Sequence, residues 1–72
     1  MSETIDLSGS DFITLGQLLK HAGIIDSGGA AKPFLAENRV FVNGEPEARR
    51  GKKLYHGDAI NIPGIGQFDI SR

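Results

Sequence analysis

Arg39-Val40-Phe41-Val42-Asn43-Gly44 is the stretch on which the fold turns. Val40 and Val42 alternate with Arg39 and Phe41, the period of a strand that presents one apolar face inward. Asn-Gly directly after such a run is the strongest short hairpin signal, because both residues accept the positive φ of a type I′ turn. The strand therefore turns back into an arm from Glu45 to Ala48, and Pro46 confines that arm to a sheet edge or cuts it short. Further on, His56-Gly57-Asp58 and Pro63-Gly64 are turns. They bound two more alternating runs, Ala59-Ile60-Asn61-Ile62 and Gln67-Phe68-Asp69-Ile70, which read as strands.

Upstream, Thr14 and Gln17 stand at the spacing of a capping box, and Ile13 can staple onto Leu18 across it. Leu15, Leu18, Leu19 and Ala22 recur at i, i+3, i+4 and i+7, and Gly23 supplies a left-handed stop, so a helix is expected over about 15–22. Asp26-Ser27-Gly28-Gly29 is a turn whose Ser27 can cap a second helix with Ala30, Ala31, Phe34 and Leu35 on its inner face. Pro33 is tolerated in a first turn but costs about 3 kcal/mol deeper inside, so this helix either starts late, near Ala30, or kinks. Asn38 falls where a left-handed cap ends it. Residues 1–12 are either a mobile lead-in or, through the alternation of Thr4 to Leu7, an edge strand. Residues 13–72 form a single domain, since a chain of 72 residues buries too little surface for a second core.

The composition narrows the function. Without cysteine there is neither a disulfide framework nor a thiolate metal site. His21 and His56 have no ligand-spaced partners, so no metal is expected. Gly64-Ile65-Gly66 begins like a dinucleotide loop but meets Asp69 where the third glycine belongs, and a hairpin turn explains it better. No paired acid and base suggests catalysis, and so small a chain leaves little room for a substrate pocket, so neither a small-molecule substrate nor a cofactor is expected. The acidic N-terminus lacks the basic start and apolar core of a signal peptide and no run is long enough to span a membrane, so a cytoplasmic location is expected.

The net charge is −1, yet its distribution is uneven. Residues 1–19 carry a net −3, residues 20–53 a net +3, and seven of the eight bases lie in that middle segment. Arg49-Arg50-Gly51-Lys52-Lys53 places four cations in five residues. Such a run is ordinarily a solvated loop; beside a cation and an aromatic projecting together it becomes a polyanion surface. Strand alternation puts Arg39 and Phe41 on one outer face, where Phe41 can stack on a base and Arg39 can reach a phosphate. The alternative is that the N-terminal segment covers Phe41. Free amides from Ser27 to Ala30, small residues and Lys32 one turn in make a third candidate, a phosphate seat, against a plain N-cap with Lys32 in water.

Taken together these residues resemble a known family. Leu18-Leu19-Lys20, Ala22-Gly23, Asp26-Ser27-Gly28-Gly29, Ala31-Lys32, Val40-Phe41-Val42-Asn43-Gly44, Arg49-Arg50-Gly51-Lys52-Lys53-Leu54 and Gly57-Asp58 are similar to the small RNA-binding domain of ribosomal small-subunit protein S-four. The likeness covers residues 13–62 and is greatest to the stand-alone bacterial YaaA/YbcJ type. It implies an α+β fold, two short helices packed on a small, mainly antiparallel sheet with an L-shaped strand arm. It also implies a non-catalytic role in binding structured RNA, often ribosomal. Lys32 then takes the place of the basic residue on the second helix, Arg39 that of the residue before the strand, and Arg49, Arg50, Lys52 and Lys53 match the basic stretch. The chain departs from the pattern at Gly28, where many relatives have Arg, at Asn38, where Gly is usual, and at Pro33.

The expected function is therefore RNA binding by a monomer, with Lys20, Ser27, Lys32, Arg39, Phe41, Arg49, Arg50, Lys52 and Lys53 as contact residues. The alternative is a protein-interaction accessory module of a larger complex. Salt dependence separates the two, since only a polyanion binder loses affinity steeply as salt rises.

Overall fold

The computed structural model describes residues 2–72. Its elements run β1 (Ser2–Asp6), β2 (Ile13–Thr14), α1 (Leu15–His21), a 3-10 turn (Gly28–Ala30), α2 (Ala31–Glu37), β3 (Phe41–Val42), β4 (Glu45–Pro46), β5 (Lys53–Leu54), β6 (Ala59–Ile62) and β7 (Gly66–Ser71). Five strands form a mixed sheet in the order β1-β7-β6-β3-β4, antiparallel except for β1 beside β7, and β2 and β5 form a second, two-stranded ladder. The architecture is thus two short helices packed on a mostly antiparallel sheet.

Period-two alternation explains the inner face. Val40, Val42, Ile60, Ile62, Phe68 and Ile70 are buried, and Ile5 and Leu7 join them from the N-terminal segment. Leu15, Leu18 and Leu19, spaced along one side of α1, and Ala31 and Leu35 of α2 close over this layer in one hydrophobic cluster. Asn43 and Gly44 take φ values of 52° and 84°, the paired left-handed residues of a type I′ turn, and set Phe41 opposite Pro46. Pro46 lies on the edge strand β4, where its missing N–H leaves no ladder bond unmade.

The helix boundaries follow their caps. Thr14 Oγ1 accepts the Gln17 N–H at 3.2 Å and Gln17 Oε1 accepts the Thr14 N–H at 2.9 Å, a complete capping box, and Gly23 turns the chain at φ 77°. The second helix takes the late start that Pro33 allows and differs from expectation at its C-terminal end. Its α-helical part begins at Ala31, after the 3-10 turn, so Pro33 falls in the first turn, where an amide has no helical partner to lose. Asn38 is extended (φ −126°, ψ 139°) instead of left-handed. It closes the helix by donating both its backbone N–H (2.9 Å) and its side-chain amide (3.0 Å) to the Phe34 carbonyl.

The β2–β5 ladder has no counterpart in the sequence reading, where residues 49–53 were a loop. It pairs Ile13 with Leu54 and Thr14 with Lys53. Leu54 is wholly buried, so it anchors the end of the basic stretch in the core. Among the described residues, no helix is long and apolar enough to cross a membrane.

Candidate nucleic-acid interface

The basic turn is held from behind by its own backbone. The Leu15 N–H donates to the Lys52 carbonyl and the Gly16 N–H to the Arg50 carbonyl, both at 2.8 Å, while the Lys52 N–H returns to the Arg49 carbonyl at 3.1 Å. These carbonyls satisfy the first amides of α1, which a helix otherwise leaves unpaired. With the carbonyls directed at the helix, Arg49, Arg50 and Lys53 are exposed and Lys52 is half-buried. The packing here is close: a Cβ at Gly16 would sit in van der Waals contact, 3.4 Å from the Arg50 Cβ and carbonyl oxygen and 3.5 Å from the Ala31 Cβ. Neighbouring like charges repel, so a fixed turn of cations weakens the fold unless an anion joins it.

Among the described residues, only Arg49 of these cations has an acidic partner in place. Its guanidinium grips Glu47 through two hydrogen bonds, Nε to Oε2 at 3.0 Å and a terminal nitrogen to Oε1 at 3.2 Å, and the Ala48 and Arg49 amides also donate to Oε2. The side-chain hydrogen bond from Arg49 is the main cause that holds the Glu47 carboxyl down at about 2, and the same bond raises the Arg49 pKa. Arg49 thus offers a phosphate less unspent charge than Arg50, Lys52 or Lys53.

The other expected residues are distributed unevenly. Lys20 is exposed on the last turn of α1 and shares with Gly16, Gly28, Arg50 and Gly51 a cleft of about 360 Å³. Ser27 and Lys32 are exposed nearby, before and just within the second helix. The phosphate seat expected from Ser27 to Ala30 is not fully open: the Ala30 N–H is spent on the Ser27 carbonyl at 3.1 Å, and the Ser27 hydroxyl makes no capping bond. Arg39 precedes β3 instead of lying in it, and lines a separate cleft with Glu37 and Glu47. Phe41 is half-buried, with Pro46 and Asn61 as its direct cross-strand neighbours, so it does not project as a free ring. Nor is it covered by the N-terminal strand, which lies at the opposite edge of the sheet.

Sequence reasoning missed two aromatics. The β2–β5 register continues to place Phe12 opposite Tyr55, and with Ile13 and Leu54 turned to the core these two rings face outward. Their centroids are 5.9 Å apart and their planes tilted by 53°, with the Lys53 Nζ 4.9 Å from the centre of the Phe12 ring. Phe12 and Tyr55 are 36% and 47% exposed. Tyr55 lines one cleft with Arg49, Gly51, Lys52 and Lys53. Among the described residues, no cluster of His, Cys, Asp and Glu has the makings of a metal site.

Comparison with known proteins bears on this surface. A family model described as the S4 domain matches residues 5–71. A protein of Bacillus subtilis (strain 168), "Probable ribosome maturation protein RlbA", is 56% identical over 61 residues, which cover 85% of this chain and 86% of that protein.

Proposed function

The chain belongs to the S4 domain family, and from that premise we propose that it is an RNA-binding protein of ribosome maturation that docks structured RNA without catalysing a reaction. Arg50, Lys52 and Lys53 contact phosphates along one strand, Lys20 and Lys32 extend the surface across the helices, and Arg49 contributes less because Glu47 holds it. Shape and charge select the RNA, because phosphate contacts position a protein while carrying no sequence information. The work is done in the cytoplasm, where ribosomes are assembled.

The observation that supports this reading best is the basic turn itself: several exposed cations on a backbone pinned at 2.8 Å to the start of α1. Preorganised cations bind a polyanion without first losing loop entropy. The test is titration with a ribosomal stem-loop at several salt concentrations, for the native chain and for a variant with Arg50, Lys52 and Lys53 all replaced by Ala. The native chain should show a log–log slope of about −2 to −3. The variant should remain folded and lose most of its affinity; equal binding by the two proteins would refute the assignment. Crosslinking in cells and sequencing the captured RNA would identify the ligand.

A further inference from the structure

Of the five aromatic rings in the chain, Phe68 is buried and Phe34 and Phe41 are half-buried. Phe12 and Tyr55 are left at the surface, and they are neighbours. Single exposed apolar residues are unremarkable, but two contacting rings bordered by cations are not a random outcome of packing. The backbone beneath them is fixed. Asp58 Oδ2 accepts the Tyr55 N–H at 2.8 Å, the Tyr55 carbonyl accepts the Asp58 N–H at 3.0 Å, and Leu54, the preceding residue, is wholly buried. Tyr55 is therefore a preorganised flat surface whose ring stays open to solvent.

We infer that Tyr55, backed by Phe12 and flanked by Lys53, is a stacking platform for one unpaired nucleobase of the bound RNA. The inference rests on the RNA-binding reading above and adds to it that the ligand has a single-stranded position beside the phosphates held by the basic turn. Three features select this occupant. A nucleobase offers the flat π face that an aromatic ring stacks on without regard to sequence. Lys53, whose ammonium lies 4.9 Å from the centre of the Phe12 ring, puts beside the rings the cation that a nucleotide's phosphate requires. One cleft that reaches Tyr55 is otherwise lined by Arg49, Gly51, Lys52 and Lys53, which suits a polyanion better than an apolar or basic protein segment; a second also carries Glu45, Glu47 and Asp58, which confine the anion to the basic side of the ring.

The chain carries its own probe, since Tyr55 is its sole tyrosine and it has no tryptophan. The whole protein is titrated with a short stem-loop RNA bearing unpaired uridines, with a blunt duplex of the same stem, and with inorganic polyphosphate, which has charge but no bases. Tyrosine emission should be quenched by the stem-loop and not by polyphosphate. Tyr55→Leu should weaken stem-loop binding roughly 5- to 100-fold, while Tyr55→Phe stays within about twofold of the native chain. Polyphosphate affinity should be unchanged in both variants, and their melting temperatures should show that each is folded. Equal stem-loop affinity for the native chain and Tyr55→Leu overturns the stacking role and leaves RNA binding intact. So does an equal loss by Tyr55→Leu towards duplex or polyphosphate, which would show that the ring acts through the fold. Absence of stem-loop binding by the native chain at low salt overturns the RNA-binding reading itself and the platform with it.

Discussion

Asn43 and Asp58 bridge two turns 15 residues apart, Asn43 Nδ2 donating to Asp58 Oδ1 at 3.0 Å. The Ala59 N–H donates to Asn43 Oδ1 at 2.9 Å, and the Asn43 N–H to the Ala59 carbonyl at 2.7 Å. Asp58 spends its second oxygen on the Tyr55 N–H. One asparagine and one aspartate therefore lock the β3–β4 hairpin to the loop that carries Tyr55. The Asn-Gly and Gly-Asp pairs in the sequence thus specify one joint.

Replacing either partner should loosen that joint. Asn43→Ala and Asp58→Ala are each expected to lower stability by about 1–3 kcal/mol, and Asn43→Ala also forces alanine into the left-handed region. A double-mutant cycle read by urea unfolding should return a coupling of at least about 0.5 kcal/mol. Additive losses would show that the two turns are held independently.

The Glu47–Arg49 pair separates cations that look equivalent in sequence. Arg50→Ala should reduce the salt slope of RNA binding by somewhat less than one unit. Arg49→Ala should reduce it less, because the native arginine already has a carboxylate partner. Glu47→Gln, which frees Arg49, should steepen the slope and tighten binding at low salt.

Acid should dissolve the same pair. The Glu47 carboxyl is lowered in the folded state from an ordinary 4.5 to about 2, so its contribution to stability is fully present above pH 4.5 and is lost as the pH falls towards 2. With the Arg49 side chain 77% exposed, the amount is about 1 kcal/mol or less. Melting temperatures of the native chain and Glu47→Gln should differ at neutral pH and converge near pH 2.

Pro33 is expected to help the fold. Of the two readings the sequence allows, a late start or a kink, α2 takes the late start with Pro33 exposed in its first turn, so Pro33→Leu and Pro33→Ile have no strain to relieve. Each substitution should leave stability unchanged or lower it by up to about 1 kcal/mol, because proline restricts the unfolded chain. A rise in melting temperature for both variants would return the strain to the helix.

Local signals were legible where adjacent residues make the structure. The capping box at Thr14 and Gln17 needs residues three apart, and the Asn43-Gly44 turn needs two neighbours with positive φ. The S-four likeness and the α+β fold rest on such signals. The β2 and β5 strands are two residues long, too short to show a period, and Leu54 is hidden at the end of a charge run. Asn38 was misread because its side chain competes for the Phe34 carbonyl, a bond that spacing does not reveal. Phe41 was assigned to an open face by alternation alone, which says which side a residue takes but not what stands across from it. The Phe12–Tyr55 pair depends on a register between distant segments, and Glu47 became Arg49's partner only through the geometry of the turn.

The parallel pairing of β1 with β7 also sets a timetable for assembly. Ser2–Asp6 hydrogen-bonds along Gly66–Ser71, so Ile5 cannot reach its place beside Ile70 until β7, at the far end of the domain in sequence, exists. The helices and the β3–β4 hairpin can form from local contacts, whereas this pairing closes nearly the whole chain into a loop and must overcome the entropy of doing so. During synthesis β1, a mostly polar strand whose one buried residue is Ile5, waits unpaired, and the domain is completed only when β7 arrives.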